Sequence, residues 1–267
     1  MSEPSLLMKR EGKVVRIAFN RPDCLNALDF KLLNSLYEKL IELNEHTEET
    51  RALIITGIGK AFSAGGDVKL FADYVSLEQS PQFIRKFNKL INDIIVEIRE
   101  ASFPVIAAIN GVISGAGLNL ACAADIRIAS NSARLRTGAY TSLGLVPAAG
   151  GSYLLPAIIG PVKAWELFTF HDEITAEQAQ DMGLISKIYS DKELQNEAWK
   201  LAERLANGPT LAYSRTKALI NNYISGAPLD AHLHLELRFQ KEMARTHDFE
   251  EGITAFLEKR KPEFKGR

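Results

Sequence analysis

Cysteine is scarce in this chain. Cys24 and Cys122 are the only two, and they stand far apart. That excludes a disulfide framework and a CxxC metal pair, and makes a reducing cytosol the expected compartment. An excess of one charge is lacking too. The formal net charge is -1, which argues against nucleic acid as the main partner. No uncharged run is long enough to span a bilayer, so no membrane partner is expected. Met1-Ser2-Glu3-Pro4-Ser5 has neither the basic nor the apolar stretch of a signal peptide, and Lys265-Gly266-Arg267 is not a peroxisomal address. Histidine is limited to His46, His171, His232, His234 and His247. His232 and His234 are two apart on an expected helix, so they diverge rather than share a metal. All five read as surface or packing residues, and no metal site is expected. No repeat at a fixed period and no low-complexity tract is visible.

What is abundant is apolar. Hydrophobic residues make up 46% of the 267, ample for one large domain or one domain plus an appendage. Ser5–Lys9 and Val14–Phe19 flank a Glu11-Gly12 turn and read as a hairpin. Asp29 caps a helix running to about His46, with Leu33, Leu36, Leu40 and Leu43 on one face. Strands are expected at Ala52–Thr56, Pro104–Ile109, Ile126–Ala129 and Ile185–Tyr189. A long amphipathic helix is expected from Pro81 to Arg99, and a Gly/Pro-rich turn at Gly144–Gly151 opens another. From Asp191 onward the pattern is helical, near 191–207, 210–224, 229–245 and 249–259. Strands alternating with helices, then helices only, predict an α/β core over 1–190 and a helical part over 191–267. The four late helices have little sheet left to cover, so packing against another subunit is a use for their apolar faces.

Two glycine-rich loops stand out. They are Lys60-Ala61-Phe62-Ser63-Ala64-Gly65-Gly66-Asp67 and Asn110-Gly111-Val112-Ile113-Ser114-Gly115-Ala116-Gly117. Each follows an apolar strand-like run and leads into a helix-like segment. Such loops point bare N–H groups at one spot, and two facing each other would clasp an oxygen carrying developing negative charge.

Those loops, with Ala107-Ala108-Ile109-Asn110-Gly111, Ala124-Asp125-Ile126-Arg127-Ile128-Ala129 and Leu143-Gly144-Leu145-Val146-Pro147 in order, resemble the enoyl-CoA hydratase/isomerase (crotonase) superfamily. Asn20-Arg21-Pro22 with Asn26-Ala27-Leu28 resembles its opening, and Phe256-Leu257-Glu258-Lys259-Arg260-Lys261-Pro262 its C-terminal signature. The resemblance covers nearly the whole chain. It implies a spiral of ββα turns, a helical trimerisation region and hence a homotrimer or hexamer. It also implies an acyl-CoA thioester substrate, with coenzyme A as part of that substrate and no permanently bound cofactor. By position, the amides of Gly66 and Ala116 look like the oxyanion pair. The family usually has glycine at 116; alanine keeps the donor provided its φ is negative. Cys24, Leu25 and Ala27 match backbone contacts to CoA, and Ala64, Asp67, Val68 and Lys259 join them as implied cofactor contacts.

The acids of the resemblance are missing. A hydratase of this family carries two glutamates, one to deprotonate water and one to deliver a proton to carbon. Those positions hold Asn119 and Tyr140. The stretch from Gly144 to Ser152 looks most like the phenylacetate-pathway isomerase branch, in which an aspartate would stand at Ala148. Asparagine does not titrate, and tyrosine has a reference pKa of about 10. Hydration is therefore disfavoured against isomerisation, decarboxylation or thioester cleavage. A CoA-binding protein without turnover and a subunit of a larger assembly are the rival readings. Among candidate side chains, Asp67 reads as a helix N-cap and Asp125 as a structural turn residue. Asn119 reads either as a substrate contact or as a buried amide bonded to backbone, and Tyr140 as a pocket wall or a proton donor. Lys60, Lys69, Lys259 and Lys261 are candidates for the CoA phosphates, although lysines are ordinarily solvated; Lys259 and Lys261 gain from the C-terminal signature. The stretch from Phe71 to Phe87 is expected to shape the acyl pocket.

Overall fold

The computed structural model of the protein describes residues 3–46, 49–170 and 173–267; His171 lies outside them. The expected hairpin forms from β1 (Leu6–Glu11) and β2 (Val14–Phe19). Helix α1 (Phe30–Glu45) follows, and its N-cap Asp29 accepts the Leu32 N–H at 2.8 Å, a bond worth about 1 kcal/mol. The chain then repeats one unit. β3 (Ala52–Gly57) is followed by the short β4 (Ala61–Ser63), then by α2 (Val68–Ser76) and α3 (Ser80–Glu100). β5 (Val105–Ile109) is followed by the short β6 (Val112–Ser114), then by α4 (Gly115–Ala123). β7 (Ile126–Ser130) is followed by β8 (Arg134–Arg136), then by α5 (Gly151–Ile159) and α6 (Pro161–Thr169). β9 (Glu173–Thr175), α7 (Ala176–Asp181) and β10 (Lys187–Tyr189) complete the spiral.

The first strand of each turn joins a six-stranded sheet in the order β1-β2-β3-β5-β7-β10, parallel after the opening pair. The second strand joins a four-stranded sheet, β4-β6-β8-β9, antiparallel only at β8–β9. Strands buried on both faces read as unbroken apolar runs. Leu53, Ile55, Val105, Ala107 and Ile109 face the inner core, where they meet Leu36, Phe62, Phe87 and Ile113. Ile54, Ile106 and Ala108 face the other way. They are covered by Leu194, Ala198, Ala202 and Ala206, one stripe of α8 (Leu194–Ala206) at four-residue spacing. Each large side chain buried here contributes about 1.5–3 kcal/mol. The first helix of the part expected over 191–267, α8, thus covers sheet rather than standing clear of it.

Three further helices stand beyond it: α9 (Thr210–Ile224), α10 (Leu229–Met243) and α11 (His247–Glu258). Lys217 anchors α9. Its buried Nζ donates to Ile98 O at 2.8 Å and to Asp125 Oδ2 at 3.0 Å, and the same oxygen accepts the Val105 N–H at 2.8 Å. Asp125 is thus the structural residue expected. Burial pushes the Lys217 pKa down, and the Asp125 carboxylate opposes that shift. The coil after α11 is held by two carboxylates: Asp248 accepts the N–H groups of Lys265 and Gly266, and Glu251 accepts from Arg260 and from the Glu263 N–H. Leu229, Leu233 and Leu237 form an exposed apolar stripe along α10.

Candidate active site

The first glycine loop is set by one bridge. The Leu28 N–H donates to Gly65 O at 2.7 Å, and the Asp67 N–H donates to Leu28 O at 3.0 Å. In a parallel bridge of this kind, the residue between the two bonded neighbours turns its own N–H to the opposite side. Gly66 is that residue, and it lines a cavity of about 150 Å³. Asp67 then caps α2 as expected, its Oδ1 accepting the Lys69 N–H at 3.2 Å, while Oδ2 lies 3.2 Å from Arg21 Nη2. Arg21 also pairs with Asp29 and donates to Ala27 O, so one guanidinium ties the opening loop to the glycine loop.

The second loop opens α4, all of whose residues are buried. Gly115 takes a left-handed φ of +48°; Ala116 is not among the positive-φ residues, so alanine fits at 116 without strain. Ala116 lies in the first helical turn, where N–H groups have no intrahelical acceptor and the helix dipole is positive. It lines the same cavity as Gly66. The loops touch. Gly65 has φ +88°, and a Cβ built on it would fall 2.9 Å from Ser114 O and 3.4 Å from Ala116 N. A Cβ on Gly117 would fall 2.7 Å from the Ser63 Cβ, so α4 lies hard against β4.

Phe71, Ile84 and Phe87 line the cavity, as the sequence led one to expect for the segment from 71 to 87. The rings of Phe71 and Phe87 belong to an aromatic cluster with Phe30, Tyr74 and Phe83 that fastens α2 to α3 and α1. The opposite wall comes from Ala139, Tyr140 and the Leu143–Ala148 turn. Of the described residues on the wall, Tyr140 alone has a titratable side chain. Asn119 lies behind it, almost fully buried. Its Nδ2 donates to Tyr140 Oη at 3.2 Å and to Ala148 O at 2.7 Å. Asn119 is therefore a buried amide bonded to backbone, and it also orients the tyrosine. Burial pushes the Tyr140 hydroxyl well above its ordinary pKa, and the Asn119 bond pulls weakly the other way. The phenol keeps its proton at neutral pH. Because Oη accepts from Asn119, its hydrogen is left for another acceptor.

The implied CoA contacts are only partly brought together. Ala64 and Val68 line the cavity. Leu25 accepts the Ala64 N–H at 2.9 Å, from a turn in which Leu25 and Asn26 both have positive φ. Cys24 closes the preceding short turn, and Ala27 is buried beside it. Lys259 ends α11 with a left-handed φ of 55° and is not on the cavity wall. Sequence reasoning passed over Asn26, a buried amide that accepts from the Arg21 N–H and donates to Ile58 O and Ala61 O. It also passed over Asn88 on the wall. The signal for Asn88 was its spacing: it falls on the apolar flank of α3, four residues after Ile84. Among the described residues, no cluster of three metal-ligating side chains occurs, and no helix is long and apolar enough to cross a membrane.

An α/β spiral whose two glycine loops meet at one apolar cavity has the architecture of the acyl-CoA enzymes that the sequence resembles. The profile of the enoyl-CoA hydratase/isomerase family matches residues 9–267, and the chain belongs to that family. It is 34% identical to the 1,2-epoxyphenylacetyl-CoA isomerase of Escherichia coli K12, with 98% of each chain covered. It is also 34% identical to the short-chain-enoyl-CoA hydratase of Clostridium acetobutylicum, again with 98% of each covered. The crystal structure of an enoyl-CoA hydratase from Bacillus anthracis matches with a TM-score of 0.91 at 34% identity, over 98% of this chain and 100% of that one. The protein is an enzyme of this superfamily.

Proposed function

We propose that the enzyme holds the carbonyl oxygen of an acyl-CoA thioester between the amides of Gly66 and Ala116, forms the enolate there, and returns a proton to carbon from Tyr140. Each well-aimed donor contributes about 3–4 kcal/mol to the charged intermediate. One observation carries the reading of Tyr140: among the described residues it is the only titratable side chain on the wall, and Asn119 donates to its oxygen. Water addition by two carboxylates is disfavoured, because Asn119, Tyr140 and Ala148 stand where the acids would be. Isomerisation, decarboxylation and thioester cleavage fit better, and decarboxylation demands least. In a 2-carboxyacyl thioester the C–C bond to the carboxylate breaks, its electron pair enters the thioester as the enolate, and CO2 leaves. The Tyr140 proton then goes to the α-carbon, and solvent restores it. The apolar wall destabilises the localised carboxylate charge, which moves to the enolate between the two amides and then, with the proton transfer, to the Tyr140 oxygen until solvent reprotonates it.

Coenzyme A enters as part of the substrate, with the loop at Cys24, Leu25 and Ala27 and the Ala64–Val68 segment along its path. The exposed stripe on α10 and the apolar residues Phe249, Ile253 and Phe256 on α11 support a homotrimer or a dimer of trimers. We place the enzyme in the cytosol. Turnover of malonyl-, methylmalonyl-, crotonyl- and butyryl-CoA by the wild type and by Tyr140→Phe is the test. The expected outcome is CO2 release exceeding hydration, with kcat lowered about 10²–10⁴-fold in the variant. Among the described residues no carboxylate lines the wall, which supports a second reading, an acyl-CoA-binding subunit without turnover. Tight thioester binding with no consumption of any substrate would decide for it.

A further inference from the structure

The cavity wall holds one polar side chain that no described contact satisfies. Asn88 sits in α3 on the strip that carries Ile84 one turn earlier, beside the fully buried Phe87. Apolar residues recur along that flank at Phe83, Ile84, Phe87, Ile91, Ile94 and Ile95. Asn88 interrupts them with an amide, half-buried, whose side chain makes no hydrogen bond to any described residue. An amide offers two donors and an acceptor. Half-buried at the cavity wall beside Phe87 and Ile84, it keeps its donors and acceptor free for whatever enters the cavity in place of solvent. The other polar group of the wall, Tyr140, already has a protein partner in Asn119.

We propose that Asn88 determines substrate specificity by hydrogen-bonding an oxygen on the acyl group. The preferred substrate is then a compact, mostly apolar acyl thioester carrying one oxygen function beyond the thioester carbonyl. This rests on the reading of the cavity as the acyl site. The oxygen belongs either to a neutral carbonyl or to a carboxylate, and both accept from the amide N–H groups. Such a site differs from a plain apolar slot because the amide gains a bond from an oxygenated acyl group and none from an alkyl one, a difference held to about 10-fold where water still reaches the amide.

The test uses four-carbon thioesters of matched length: butyryl-CoA, acetoacetyl-CoA and succinyl-CoA, with free CoA as reference. Dissociation constants are measured by calorimetry for the wild type, Asn88→Leu and Asn88→Ser. Asn88→Leu continues the apolar strip of α3 and Asn88→Ser keeps a small polar group, so two unrelated changes guard against a folding artefact. The expected result is wild-type preference for an oxygenated acyl group over butyryl by about 10-fold or more. In Asn88→Leu that ratio collapses toward one or inverts. A preference confined to acetoacetyl-CoA identifies a neutral carbonyl; one confined to succinyl-CoA identifies a carboxylate. If the wild type binds all three thioesters alike, or if the ratio survives in both variants, Asn88 does not read the acyl group. If no thioester binds more tightly than free CoA, the acyl-site reading itself fails, a separate outcome.

Discussion

Replacing Gly65 by alanine tests the centre at its narrowest point. The residue has φ +88°, and the added Cβ would lie 2.9 Å from Ser114 O, about half an ångström inside the 3.4 Å at which ordinary contact begins. Neither atom sits on a flexible side chain, so relief requires the two loops to separate. Backbone strain at such a φ costs about 1–3 kcal/mol. The larger effect is on rate. A shift of this size takes at least one amide off the thioester oxygen, and losing one such donor lowers kcat about 10²–10³-fold. Gly183→Ala is the control: φ is +79°, but nothing lies within 4 Å of the added Cβ. Its strain is similar, its clash is nil, and it is not on the cavity wall. Urea unfolding and steady-state kinetics on both variants separate the two effects. Comparable stability losses with a rate defect in Gly65→Ala alone are expected. Wild-type kcat in a folded Gly65→Ala protein would refute the claim that the touching loops set the oxyanion geometry.

Asn119→Asp removes both N–H donations, to Tyr140 and to Ala148 O. A stability loss of about 1–3 kcal/mol is expected, together with a lower kcat as the new carboxylate captures the Tyr140 proton; an unaltered kcat would remove Asn119 from the orienting role. Lys217→Met leaves Asp125 with only the Val105 N–H, and because Asp125 is partly exposed the cost falls at the low end for a broken buried pair, about 3 kcal/mol. A change below about 1 kcal/mol in the urea midpoint analysis would mean that α9 is anchored elsewhere. Arg260 and the Glu263 N–H draw the Glu251 carboxyl down to about 2. A depressed folded value means that its contribution is complete above the ordinary carboxylate range and is lost as pH falls through about 2. The Glu251 carboxyl carbon should titrate there by NMR; a midpoint above pH 4 would exclude the contacts with the tail.

The large sheet was legible in the sequence because its strands are long apolar runs: Ala52–Ile55 and Val105–Ile109 are buried on both faces and break off at glycine or asparagine. The second sheet was not. β4, β6, β8 and β9 have three residues each, too few for any period to show, and β4 and β6 lie within what reads as glycine loops. The stripe Leu194, Ala198, Ala202, Ala206 showed an amphipathic helix but not what it covers, because small residues suit a sheet as well as another helix. At the site, main-chain donors were readable from glycine placement, whereas the partner of Asn119 depended on a turn 21 residues away. Asn26 was invisible as an anchor because its acceptors, Ile58 O and Ala61 O, come from a distant segment.

The glycine loops issue from neighbouring strands, β3 with β4 and β5 with β6, which are paired in both sheets. Distance between the two donors is thus dictated by strand spacing, a constant of polypeptide geometry rather than a choice of side chain. Evolution acting on such a scaffold is free to exchange acids for amides or phenols around the rim, much as tools are exchanged in a fixed chuck. On the proposed reading, side chains such as those of Asn119, Tyr140 and Ala148 can differ without moving the main-chain grip on a thioester oxygen.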